Sequence, residues 1–175
     1  MKTFQPVLNG FAAAFVIGAL SLLTFESPLG VWLMFSFGSS ALILFVYHDS
    51  EFAKPKNVFF GHLISIIIGI LFNQYMGITY ISLGLSVGLC VTLMMYLKIV
   101  HPPAAANPLI ALFADVSYEF ILFPVLSGSV ALIILSYFIN RFIFGRKFIE
   151  KKSNLKKKLK NLKLRRKRTK KNRAM

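Results

Sequence analysis

Five apolar stretches, at residues 7–24, 29–47, 58–76, 80–97 and 120–140, each approach the length a helix needs to cross a hydrocarbon core of about 30 Å. Lipid offers the backbone no hydrogen bonds, so such stretches must satisfy their own N–H and C=O groups as helices. Composition agrees, with 56% hydrophobic residues and 18 Phe among 175 and a mean hydropathy of +0.66, far from ordinary soluble usage. The expected class is an all-α, polytopic transmembrane helical bundle. The first stretch reads as a retained helix: a single Lys2 precedes it, and no small-residue cleavage site stands before Glu26-Ser27-Pro28. Cys90 lies inside the fourth stretch and has no second cysteine to pair with.

Between the fourth and fifth stretches, residues 100–113 read VHPPAAANPLIALF. Two successive prolines remove two backbone donors and hold the preceding His101 extended. Asn107 is then expected to cap a new helix whose first position is Pro108. Non-helical backbone at membrane depth survives only where protein buries it or where it lines a cavity. This segment is therefore the leading candidate site, and the bundle is expected to contain broken helices.

Charge is sharply segregated. Lys2, Lys54, Lys56 and Lys98 are the only basic residues before Arg141, and the other 17 of the 21 begin there, opposed by Glu150 alone. The chain thus divides into a transmembrane domain, residues 1–145, and a basic tail, residues 146–175. By the positive-inside rule the tail is cytosolic. Five crossings would then leave all four early lysines outside. Counting residues 99–115 as a sixth crossing removes the conflict: six extended residues and eleven helical ones reach roughly 36 Å. Within the tail, Leu155, Leu159 and Leu162 share one helical face among lysines, as in an interfacial helix that binds anionic lipid. Beyond Leu164 the tail reads as disordered, and nucleic-acid contact is a secondary reading of RRKRTKKNR.

Residues 38–43 and 105–110 align at an offset of 67, which also pairs Gly61 with Gly128. The pairing suggests an inverted repeat divided near Gly77, an arrangement in which sites lie at broken helices near the midplane. Gly38-Ser39 would be the partner break. Asn107-Pro108 and Gly38-Ser39-Ser40 each read as a helix start inside apolar sequence, where free N–H groups and the macrodipole favour an anion. Ordinary capping and small-residue packing, which Ser39, Ser40, Ala104, Ala105 and Ala106 also suit, is the competing reading. His101 would bind an anion, relay protons near neutrality, or serve as a hydrogen-bonded helix end. Metal binding would need further ligands, and His48 and His62 sit in other segments. Asp49, Glu51, Lys54 and Lys56 read as a solvated loop, with Asp115 and Glu119 flanking the last crossing.

Four blocks carry a family resemblance: FGSSALILF (37–45), AKPKNVFFGHLISIIIG (53–69), LMMYLKIVHPPAAANPL (93–109) and FPVLSGS (123–129). In this order and spacing the chain resembles the HPP family of small integral membrane proteins over nearly all of residues 1–145. It departs from the family pattern at Ala105, where the pattern carries Gly. The resemblance implies a polytopic inner-membrane protein, commonly described with four spanning helices, and nitrite transport by analogy with plastid members.

These readings give a membrane permease or channel for a small anion, nitrite first, in a bacterial inner membrane. The substrate would be bound by His101, Pro102, Pro103, Asn107, Ser39 and Ser40. No cofactor or metal is expected. Partners would be the bilayer, anionic lipid at the tail, and further copies of the chain. A phosphate-binding glycine loop with Lys is missing from the sequence, as are paired carboxylates and an activated nucleophile, so no enzymatic role is expected. The alternative is a non-transporting scaffold whose basic tail recruits lipid or a partner.

Overall fold

A computed structural model describes residues 4–28 and 30–146. Six α-helices follow in these residues: α1 (Gln5–Glu26), α2 (Ser36–Val46), α3 (Pro55–Met76), α4 (Tyr80–Tyr96), α5 (Asn107–Phe113) and α6 (Ser127–Phe138). Short 3-10 turns occupy Glu51–Ala53 and Pro102–Ala106, and wide π-type turns flank α6 at Ile121–Leu126 and Ile139–Ile143. The described residues contain no strand. The tail from Lys147, including the helix read at Leu155, Leu159 and Leu162, lies outside them.

Local signals start and stop the long helices. Pro55 occupies the first turn of α3 behind an extended Lys54, and Gly77 at φ +61° ends it. A capping box between Thr79 and Ser82 starts α4. By length and composition, Gln5–Glu26, Pro55–Met76 and Ile121–Ile143 can each span a membrane. The last is interrupted at Phe123, whose backbone is extended immediately before Pro124.

Tertiary hydrogen bonds fix the path. Thr24 Oγ1 accepts from the Trp32 and Leu33 amides at 3.0 and 3.1 Å, so the chain turns at the far end of α1. Asn57 Nδ2 donates to the Val100 carbonyl at the near end of α3. At its far end Asn73 Nδ2 donates to Asp115 Oδ1 at 2.7 Å, and Tyr118 Oη to Gln74 Oε1 at 2.6 Å. Arg146 returns to Asn9 and Phe45 near the start of α1. The described chain therefore passes through the bundle six times and ends on the face where it began. Lys54, Lys56, Lys98, Arg141 and Arg146 belong to that near face, whereas Glu26, Asp115 and Glu119 belong to the far one.

Two expectations about the broken segments need correction. The stretch at residues 29–47 is helical only from Ser36. Gly38-Ser39 thus sits in the first turn of α2, and the break precedes it, where Gly30 adopts φ +115° and Thr24 satisfies the following amides. The second broken segment is extended at His101, at φ −133° and ψ 99°, but enters a 3-10 turn at Pro102, three residues earlier than expected. Proline φ suits that turn, and a missing N–H costs nothing in its first positions.

The repeat is visible in packing. A methyl group on Gly61 would meet the Ile99 carbonyl at 3.4 Å and Ala104 Cβ at 3.5 Å. One on Gly128 would run into the Trp32 carbonyl and meet the Phe37 ring at 2.6 Å. Each of these partners lies 67 residues from its counterpart. Thus α3 closes on the second broken segment as α6 closes on the first, and the two three-pass halves run in opposite directions. Phe37, Leu44, Phe45, Val58, Ile66 and Leu132 fill the main core, and Cys90, Met94, Ile99 and Ala104 form a second cluster under α4.

Candidate functional site

The two halves meet at a buried polar network. His62 stands eight residues into α3, about 10 Å below its start at 1.5 Å per residue. Ser40 faces it from α2, and His101 and Asn107 come from the second broken segment. None of these four side chains has solvent-accessible surface. Gly61 makes the approach of His101 feasible, since a Cβ there would lie 2.9 Å from His101 Cβ.

Ser40 Oγ sits 3.0 Å from His62 Nε2 and 2.9 Å from His101 Nε2, so one hydroxyl bridges two imidazoles. Partner chemistry assigns the tautomers. His101 Nδ1 is 2.8 Å from the Phe52 carbonyl, which only accepts, so that nitrogen carries hydrogen and Nε2 is an acceptor in the neutral ring. His62 Nδ1 faces Asn107 Nδ2 at 3.0 Å and accepts from it, leaving His62 Nε2–H to donate to Ser40. The result is a directed chain from Asn107 through His62 and Ser40 to His101 and Phe52. The single Ser40 hydrogen is shared between His101 Nε2 and the Ser36 carbonyl at 3.0 Å. The rings lie 5.0 Å apart, and Phe37 stands edge-on to His62 at 5.1 Å.

Asn107 does not cap α5, as its sequence position suggests. It is the helix's first residue, at φ −63° and ψ −36°, and its side chain makes no cap hydrogen bond. The 3-10 turn runs directly into α5, so the amides ahead of Asn107 are not left open. Its amide instead ties three elements together: Oδ1 accepts from Ser36 Oγ at 2.8 Å, one Nδ2 hydrogen goes to Ser65 Oγ at 2.8 Å, and the other is shared between His62 Nδ1 and the His62 carbonyl at 3.2 Å. The starts of α2 and α5 therefore meet through side chains rather than presenting a pair of bare helix ends.

Of the six residues singled out from sequence, the structure brings His101, Asn107 and Ser40 together and buries Pro103 beside them. Pro102 is exposed. Ser39 is also exposed, bonded only to the Ser36 carbonyl at 3.0 Å, because the 100° step from Ser40 turns it outward. It lines an apolar groove of about 580 Å³ between α2 and α5, with Phe35, Ala106 and Phe113, and Ser36 lies at its floor. His62, Ser36 and Ser65 were missed. A signal for His62 was present, since an ionisable residue inside an apolar helix is a functional candidate by default. Among the described residues, no three His, Cys, Asp or Glu side chains converge to hold a metal.

The sequence from residue 1 to residue 149 matches the family described as HPP, transmembrane region. The chain belongs to the HPP family. Two transmembrane proteins of Dictyostelium discoideum are similar to it. One is 27% identical over 149 residues, covering 81% of this chain and 48% of the relative. The other is 29% identical over 121 residues, covering 65% and 42%. The HPP chain thus spans about half the length of the relatives it matches, or less. No solved structure matches it. His101, Pro102 and Pro103 are the HPP tripeptide of this chain, and they form the turn that delivers one imidazole to the network.

Proposed function

We propose that this HPP domain is a permease or channel for a small anion, with nitrite the first substrate to test. The observation that carries the reading is the Ser40 bridge between His62 and His101, where polar side chains from both halves converge in a buried setting. An anion has acceptor oxygens like those of Ser40 and Ser65, so it can take their place among the His62 and Asn107 donors when the halves part. In a buried site such charge-assisted hydrogen bonds are stronger than neutral ones. A proton taken up at His101 Nε2 would neutralise the bound anion and travel with it. The groove at Ser36 and Ser39 supplies a flank along which α2 and α5 can separate.

In this reading the domain works without catalysis in a bacterial inner membrane. Its near face, with Arg141, Arg146 and the basic tail, is cytosolic by the positive-inside rule. The tail adds contact with anionic lipid, and the exposed helix faces suit association with further copies. One observation favours the scaffold alternative: each side chain of the network already has a protein partner.

Flux measurements on proteoliposomes with nitrite, nitrate, formate and chloride separate the two. Nitrite flux above empty liposomes is expected. His101→Ala and His62→Ala should each lower it about tenfold or more, the effect of losing a hydrogen bond to a charged group. His101→Gln keeps a polar side chain but cannot charge, so flux should lose its pH dependence between about pH 5 and 8. Absence of flux for all four anions in well-folded protein would leave the scaffold reading standing.

A further inference from the structure

Away from the histidine network, the near face carries a cation whose surroundings are not those of a structural ion pair. Arg146 is half-buried. Its guanidinium gives Nη1 to the Phe45 carbonyl at 2.7 Å and to Asn140 Oδ1 at 3.0 Å, and Nη2 to Asn9 Oδ1 at 2.8 Å, with the Phe144 ring 4.3 Å away. All three acceptors are neutral. Among the described residues no carboxylate lies within ion-pair distance, and Nε–H and one Nη2–H have no acceptor. Arginine offers five N–H donors in a planar fork suited to phosphate, so a fixed charge with two donors to spare is half of a phosphate site.

The other half is beside it. Asn9 and Phe45 both line a groove of about 760 Å³ between α1 and α2. Its remaining walls are largely apolar, among them Gly10, Ala13, Gly38 and Leu42, and Gln5 donates to Asn9 at 3.2 Å at the mouth. From Gln5 to Ala13 the groove follows α1 for about 12 Å. Gly10 and Gly38 leave it open, because nothing stands within 4 Å of a Cβ built on either. An apolar trough running into the bilayer, with a cation held at its near-face end, has the polarity of one phospholipid.

We infer that the cleft between α1 and α2 is an anionic-phospholipid site, with the headgroup phosphate on Arg146 and an acyl chain along Gly10, Ala13, Gly38 and Leu42. Charge complementarity selects this occupant. A zwitterionic lipid brings its own cation to a face already rich in them, whereas an anionic one leaves the guanidinium compensated. Basic pockets between membrane helices bind such headgroups in general. The site is distinct from the attraction exerted by the basic tail, which is diffuse and salt-sensitive.

The test uses the full chain in detergent with phosphatidylglycerol or phosphatidylcholine of the same acyl chains, counting retained lipid by native mass spectrometry. In 1 M salt the screening length is about 3 Å, which silences diffuse attraction more than a half-buried pair. Retention of one phosphatidylglycerol per chain is expected, about tenfold over phosphatidylcholine. Arg146→Gln should abolish that preference. Gly10→Leu with Gly38→Leu, which fills the trough and keeps every charge, should lower retention of phosphatidylglycerol to a similar extent. Replacing Arg165, Arg166 and Arg168 by Gln should leave it unchanged. Equal retention of the two lipids, or loss in the tail variant with none in Arg146→Gln or the filled-groove variant, would overturn the proposal.

Discussion

Asn107 shows what a single side chain can hold together. Truncation to Ala would leave Ser36 Oγ, His62 Nδ1 and Ser65 Oγ with a lost partner in a buried site, and an unsatisfied buried group costs about 1–3 kcal/mol. Asn107→Ala should therefore lower thermal stability in detergent more than removal of an ordinary N-cap, which costs about 0.5–2 kcal/mol. Glycine positions offer a sharper contrast. Gly128→Ala would drive a methyl group into the Trp32 carbonyl and should cost about 1–3 kcal/mol or more, as over-packing does. Gly38→Ala meets open space inside α2 and should be neutral or gain up to about 1 kcal/mol from helix propensity. His48, in the connection after α2, has its pKa lowered from 6.5 by burial first and by the Arg146 guanidinium second. The folded state then binds fewer protons than the unfolded chain, so its contribution is present above pH 6.5 and lost as pH falls below it. His48→Gln should flatten the dependence of the melting temperature on pH between about 7 and 5 relative to the parent chain.

Among the elements, the broken segments define the architecture. At 11 and 7 residues, α2 and α5 reach about 16 and 10 Å, far short of a hydrocarbon core. Each completes its passage with non-helical backbone that the partner half buries, which is the condition lipid imposes. The six-pass path makes an accessibility test direct. On a Cys90→Ser background, cysteines at Lys54 and Lys56 should react with a membrane-impermeant reagent from one side, and cysteines at Ile78 and Tyr118 from the other. In the proposed orientation the first pair is the cytosolic one. External labelling at Lys54 would reverse the orientation, and labelling of Lys54 and Ile78 from the same side would break the six-pass path itself.

At the scale of the whole molecule, two opposed three-pass halves share one polar seam, and the separation of charge gives the assembly its direction. Non-polar contacts in lipid lack the hydrophobic drive they have in water, so van der Waals packing and buried hydrogen bonds set the association of the halves. Mutations in the seam should consequently affect stability and flux together, whereas mutations in the tail should affect neither. A peptide of residues 146–175 should bind anionic vesicles and release as salt rises, since surface charge is screened over about 8 Å at physiological ionic strength. Equal binding to neutral vesicles would contradict that.

The apolar runs alone determine a helical membrane protein, because lipid leaves the backbone no other way to satisfy its polar groups, and the prolines alone determine that His101 is extended. The placement of lysines and the 67-residue offset were enough to anticipate six passes and an inverted repeat. The partners of each polar side chain were not legible, since hydrogen-bond partners 22, 45 or 61 residues apart are joined by helix packing that leaves no trace in local pattern. That is why Asn107 looked like a cap, why Ser39 looked equivalent to Ser40 until a 100° step separated them, and why His62 looked isolated. Only the tertiary structure, by laying Gly61 against His101, decided that two histidines share one serine.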